Sequence, residues 1–130
     1  MKDLSFLIPI RLDTIQRLEN LIVVIEFLRS HFDSPVLVYE ASSYSTDIVS
    51  SLIGKEAAYN FEEDRDTIFH RTKYINKLAN LSSTPFVAVW DCDVIIPPNQ
   101  LRDAVQELRE GRSSFVFPYE KGSFWIQGLY

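Results

Sequence analysis

Asp91 and Asp93, separated by Cys92, are the residues of this chain whose type and spacing point most directly to chemistry. They follow at once on five unbroken apolar residues, Phe86 to Trp90. Three branched ones, Val94 to Ile96, come after them, with Pro85 before the stretch and Pro97 behind it. An apolar run of that kind between prolines reads as a buried central strand, with the acids at its C-terminal end. In open α/β sheets ligands bind outside the carboxyl ends of the strands. Residues two apart in an extended segment share a face, so both carboxylates can reach one ion or its waters. Like charges a few ångströms apart repel, and a hard divalent cation that also carries phosphates relieves the repulsion. The pattern points to a metal and nucleotide-phosphate site. The competing reading is an acid pair that caps a helix or ends a strand in solvent, since acid-x-acid triplets are frequent in surface loops.

The elements that must position these acids alternate along the chain. Leu4–Ile10 reads as a first buried strand, with Pro9 near its end, where a missing N–H is tolerated. Asp13-Thr14 can cap a helix whose apolar residues at 15, 18, 21, 22, 25 and 28 recur at helical spacing as far as about Phe32. Asp33-Ser34-Pro35 is a turn. A second strand spans Val36–Tyr39 and ends in Glu40. Ala41–Ser45 reads as a polar loop, and a short helix runs from Thr46 or Asp47 through Leu52 to a stop at Gly54. Ala57–Phe61 is a weak third strand and residues 62–66 a charged loop. A helix capped by Asp66 or Thr67 covers Ile68–Leu81. After the central strand, Pro97-Pro98-Asn99 opens another helix that Gly111 ends, and Ser114–Pro118 reads as a last strand. Such alternation predicts an α/β fold in three layers, a mainly parallel sheet with helices on both faces and right-handed crossovers.

Composition bounds the partners. The chain has 130 residues, of which 46% are hydrophobic, enough for one domain with a core. The net charge of −5 offers no basic footprint, so nucleic acid is not an expected partner. The single cysteine, Cys92, allows no intrachain disulfide and suits a reducing compartment. No stretch approaches the roughly 18 apolar residues of a membrane span, and the first residues lack a cleavage pattern. The expected location is the cytoplasm, if need be beside a membrane. Gly122–Tyr130 is rich in aromatic residues. It is expected to be covered by a second copy of the chain or by further sequence.

Taken together, Pro9-Ile10-Arg11, Glu40, Phe69-His70-Arg71 with Asn76 five beyond the arginine, and Trp90-Asp91-Cys92-Asp93 resemble the nucleotide-binding N-terminal half of GT-A fold glycosyltransferases of the family 2 and galactosyltransferase-like kind. The resemblance implies a Rossmann-like nucleotide-diphospho-sugar transferase fold over residues 1–130, incomplete, with the acceptor half absent. It implies a Mn²⁺ or Mg²⁺ cofactor held by Asp93 directly, with Asp91 nearer the ribose or the metal's water shell. Pro9, Ile10 and Arg11 would contact the nucleotide. Glu40 would accept from the uracil imide N–H or a ribose hydroxyl. Phe69 and Arg71 would approach the base and the phosphates, the arginine offering a planar fork to oxygen pairs. Arg71 could otherwise be a surface residue paired with Glu62, Glu63 or Asp64. Cys92 reads as a small buried residue facing away from the metal.

Two departures stand out. Lys77-Leu78 replaces the small residue usual after Asn76, and the loop after Glu40 keeps serines but not the Asp-Gly-Ser pattern of many relatives. No residue is identified as the catalytic base. The expected activity is transfer of a sugar from a nucleoside diphosphate donor, UDP-linked, to a hydroxyl of a glycan or other acceptor, with inversion by resemblance. The alternative is an inactive GT-A-like interaction module that associates through Phe124–Tyr130.

Overall fold

The computed structural model describes residues 1–118 of the chain. These divide into two compact units, one over Met1–Asp93 and one beginning at Val94. The first holds strands β1 (Leu4–Ile10), β2 (Val36–Ser42), β3 (Ala58–Glu63) and β4 (Phe86–Val89), with helices α1 (Ile15–His31), α2 (Ile48–Ile53) and α3 (Arg71–Leu81). The second holds α4 (Pro98–Arg109), which buries Leu101, Ala104 and Val105 on one face.

The strands lie in the order β3-β2-β1-β4, and each pairing is parallel. This is the α/β architecture that the alternation predicts. From β1 the chain steps to β2 and then β3, and α3 carries it back to β4 on the far side of β1. The order therefore reverses between β1 and β4, and their carboxyl ends form the switch point where such sheets open a crevice. Right-handed crossovers in opposite directions put α1 and α3 on opposite faces. Side-chain alternation agrees. Leu7, Leu37 and Tyr39 gather about Leu78 of α3, whereas Phe6 meets Phe32, just past α1, at 5.7 Å between ring centres. On α1 the buried residues Leu21, Val24, Ile25 and Leu28 make one stripe, each contributing on the order of 1.5–3 kcal/mol. Thr14 caps the helix by accepting from the Arg17 N–H at 3.2 Å.

The structure corrects several boundaries. The buried central strand is β1, all seven of whose residues are buried. The stretch from Phe86 is an edge strand among the described residues, and it is only four residues long. Its Trp90 still donates its N–H to the Leu7 carbonyl at 2.9 Å and meets Phe6 edge-on. The chain then turns at Cys92-Asp93, and Val94–Ile96 are not strand. Continuous apolarity suggested a strand here, but Val87 and Val89 are exposed while Trp90, Val94 and Ile96 are buried. Strand β2 takes in Glu40, Ala41 and Ser42, because they pair with Phe61, Glu62 and Glu63 of β3. Helix α3 starts at Arg71 instead of Ile68. Asp66 accepts the Ile68 N–H at 3.1 Å in a side-chain turn that delays it. Ser114–Pro118 forms no strand, and Phe115 and Phe117 are exposed there. Phe124–Tyr130 lies outside the described residues.

Candidate functional site

The carboxyl ends of the strands carry three groups of polar side chains. The first is built on Arg11, one residue past β1. Its Nε donates to the Ala41 carbonyl at 2.9 Å and its Nη1 to the Asp66 carbonyl at 2.6 Å. Its Nη2 faces the Asp64 carboxylate at 3.5 Å, with both side chains mostly buried. The guanidinium lies over the Phe69 ring, 5.5 Å from its centre. Tyr74, fully buried on α3, donates its hydroxyl to Asp64. Asp64 also accepts the Asp66 N–H at 2.9 Å. The Tyr74 hydroxyl foremost, then that N–H, hold the Asp64 carboxyl below its ordinary range, and burial pushes the Tyr74 phenol up. Phe69 stacks on Tyr74 and Tyr74 on Tyr39, at 5.6 and 5.4 Å between centres. Tyr39 donates to Glu62 at 2.8 Å, and Lys77 and Lys73 reach the same carboxylate. Each member of this group is committed to another part of the chain. Arg11 ties the end of β1 to the end of β2 and to the loop after β3.

The second group is smaller. Glu40 sits in the ladder between Ile10 and Phe61 and is only 2% exposed. Its Oε1 accepts from the Tyr59 hydroxyl at 2.5 Å. Tyr59 pairs with Val38, two residues before Glu40, so the two side chains share a sheet face and meet on the diagonal. No second hydrogen bond and no cation reaches the carboxylate among the described residues. Arg11 Nη2 and Gln100 Oε1 are the sealed polar side-chain atoms without a hydrogen bond there, and Glu40 Oε2 is not one of them. That oxygen keeps an opening to the outside. Burial and then Glu40 push the Tyr59 phenol up. Pro9 and Ile10 lie in the ladder itself, opposite Tyr39 and Glu40.

The third group lies past β4. Asp91 Oδ1 accepts from Arg71 Nη2, at the first residue of α3, over 2.6 Å, and both side chains are about half exposed. Asp91, not Glu62, Glu63 or Asp64, is thus the partner of Arg71. Asp93 is exposed and takes part in no hydrogen bond or ion pair among the described residues. Cys92 between them is partly buried, and burial and then Asp93 push its thiol up, away from nucleophilic character. No cluster of three or more His, Cys, Asp or Glu side chains forms among the described residues. The donor set nevertheless suits a hard cation. Mg²⁺ and its relatives are commonly held by one or two carboxylates and completed by phosphate oxygens and water.

The sequence pattern points to Pro9, Ile10, Arg11, Glu40, Phe69, Arg71, Asp91 and Asp93. The structure brings Arg11 against Phe69 and Arg71 against Asp91, and places Glu40 on the opposite sheet face from Tyr39. Reading by pattern missed Tyr74, Asp64 and Tyr59. Tyr74 is a polar-tipped residue in the middle of α3, outside the apolar spacing. Asp64 and Tyr59 lie in segments that read as exposed loop and weak strand. Asn76 is exposed.

No protein-family model and no curated protein matches the chain. Among solved structures it is similar to a protein of Desulfovibrio desulfuricans G20 provisionally assigned as a nucleotide-diphospho-sugar transferase. The TM-score is 0.56 at 12% identity, over 84% of this chain and 55% of that one. Likeness at that identity is likeness of fold. The chain spans about half the length of the structure it matches.

Proposed function

We propose that the chain binds a nucleoside diphosphate sugar, UDP-linked, at the carboxyl edge of its sheet, as the donor-binding part of a glycosyltransferase acting on a hydroxyl acceptor. The observation that carries this reading is the pair of carboxylates, Asp91 and Asp93, directly past β4 at the reversal of strand order, with Arg71 beside the first of them. The nucleotide-sugar transferase fold of the solved neighbour supports it.

Asp93 and Asp91 would hold Mn²⁺ or Mg²⁺, which when bound neutralises charge on the departing diphosphate as a Lewis acid. Arg71 offers its planar fork to diphosphate oxygens. Glu40 accepts a donor on the nucleoside through its open oxygen. Arg11 acts one step back, by fixing the ends of β1 and β2 against which the nucleoside would rest. Phe69, half-buried beside Arg11 and Tyr74, would meet the base with the part of its ring that stays exposed.

Calorimetric titration with UDP, with and without Mn²⁺, tests the reading. UDP is expected to bind tightly only when the metal is present. Asp93→Asn is expected to weaken binding in the presence of metal and to change nothing in its absence. A parent chain indifferent to Mn²⁺, matched by Asp93→Asn, would sink the assignment.

A further inference from the structure

Arg71 opens α3, a helix with no acidic residue in its first turn. The positive end of the helix dipole disfavours a cation there unless an anion stands beside it. Lys73, in the same turn, is drawn toward Glu62 at 3.8 Å. Arg71 finds its anion on another element, at Asp91 just past β4.

The contact is a single prong. Nη2 reaches Asp91 Oδ1 at 2.6 Å, and no other hydrogen bond engages the guanidinium among the described residues. Both side chains are about half exposed, so the pair contributes little to the fold. It also leaves the acids short of positive charge, since Asp93 has no partner of its own among the described residues. A divalent ion balances both carboxylates, which a guanidinium on one of them does not. Once such an ion sits on Asp91, Arg71 is left at a helix N-terminus with an empty fork. That setting suits the paired oxygens of a diphosphate.

We infer that Arg71 is a placeholder for the metal. It occupies Asp91 while the metal is absent, the entering ion displaces it, and the freed guanidinium turns to the diphosphate. This rests on the metal and nucleotide reading above and adds a latch that the chain closes on its own site. Arg71 thereby competes with the ion and assists the nucleotide. Metal and nucleotide are coupled through this exchange as well as through the ion that bridges them, and the coupling is reciprocal.

The experiment is titration of Mn²⁺ into the parent, Arg71→Met and Lys73→Met, with free ion counted by electron spin resonance, first without nucleotide and then with saturating UDP. Without UDP, Arg71→Met is expected to bind Mn²⁺ about two- to fivefold more tightly than the parent, the range of an exposed ion pair. Lys73→Met, which removes the same charge from the same turn, is expected to match the parent. With UDP the order reverses, and Arg71→Met holds Mn²⁺ less tightly than the parent. Should a variant fail to fold, the parent alone still answers. Its Arg71 Nε–H signal in NMR spectra is expected to move on addition of Mg²⁺ before any UDP is present. Equal Mn²⁺ affinity without UDP in folded Arg71→Met and the parent overturns the inference and leaves the metal site standing. So does an equal gain in Lys73→Met, or an Arg71 signal indifferent to bound Mg²⁺. A parent that takes up no Mn²⁺, with or without UDP, removes both.

Discussion

The two sides of the sheet's carboxyl edge differ in how completely their polar groups are satisfied. On the α3 face, Arg11, Asp64, Tyr74, Tyr39, Glu62 and Lys77 are tied to one another and to the backbone, Arg11 Nη2 alone facing Asp64 without a hydrogen bond, and Phe69 closes the stack. At the rim, Glu40 has one oxygen open, Asp93 has no partner among the described residues, and Asp91 shares a half-exposed pair with Arg71. A densely connected network of this kind favours a single, rigid arrangement. A group left short of partners in a folded chain is where an outside molecule can gain the most. The difference teaches that charge and position alone do not mark a ligand contact. Arg11 and Arg71 both lie at the carboxyl edge, yet only Arg71 can change partners without disturbing the ladder.

That contrast can be broken at either side. The largest effect is expected in the saturated network. Tyr74→Ala removes a buried ring from a three-ring stack and should cost about 3–5 kcal/mol of stability. A melt should show this as a fall of well over ten degrees. Tyr74→Phe keeps the stack and should cost far less, with UDP affinity in the folded protein unchanged. A loss of UDP binding by folded Tyr74→Phe, equal to that of a rim variant, would erase the distinction.

At the rim the pattern should invert. Arg71→Met is expected to weaken UDP binding in the presence of Mn²⁺ by about tenfold, or about 1.4 kcal/mol. Its melting temperature should barely move, because exposed ion pairs contribute about 0–1 kcal/mol. A stability loss larger than the affinity loss would place Arg71 among the structural residues.

Acid sharpens the contrast further. The Asp64 carboxyl is held below its ordinary range, first by the Tyr74 hydroxyl. Its contribution to stability is therefore complete above the unfolded value of about 3.9 and fades as pH falls through the folded value. The gap in melting temperature between the parent and Asp64→Asn should be widest above about pH 5 and close as the solution is made more acid. A gap that stays constant through that range would mean the ionised form is not what the network holds. The smallest effect is expected on β4. Val87→Thr, at an exposed position, should change stability by no more than about 0.5 kcal/mol.

How much of this was legible in the residues depends on whether a feature is local or comes from pairing. The extent of α1, the stop at Gly54 and the start of α4 at Pro98 are local and follow from spacing and cap residues, although Ile15 proves exposed and Val24 joins the buried stripe. The extension of β2 through Glu40 to Ser42 is not local. It exists because β3 supplies partners to residues whose composition reads as loop. The same holds for the exchange of roles between β1 and the Phe86 stretch. An unbroken apolar run suits a strand covered on both faces, but Val87 and Val89 lack cover among the described residues. Asp91 and Asp93 are visible as a pair in the sequence. Their relation to Arg71 is visible only once α3 brings a residue twenty positions away to within 2.6 Å. Tyr59 had no signal at all, since a tyrosine in a weak strand is unremarked until its hydroxyl is found on Glu40.

The most direct measurement is the pattern of Mn²⁺ line broadening in amide NMR spectra of the labelled chain saturated with UDP. The account predicts that signals of Asp91, Cys92, Asp93 and Arg71 vanish first, and that those at the opposite end of the sheet, around Leu4 and Val36, stay sharp. Broadening centred anywhere else, or none that depends on UDP, would contradict it.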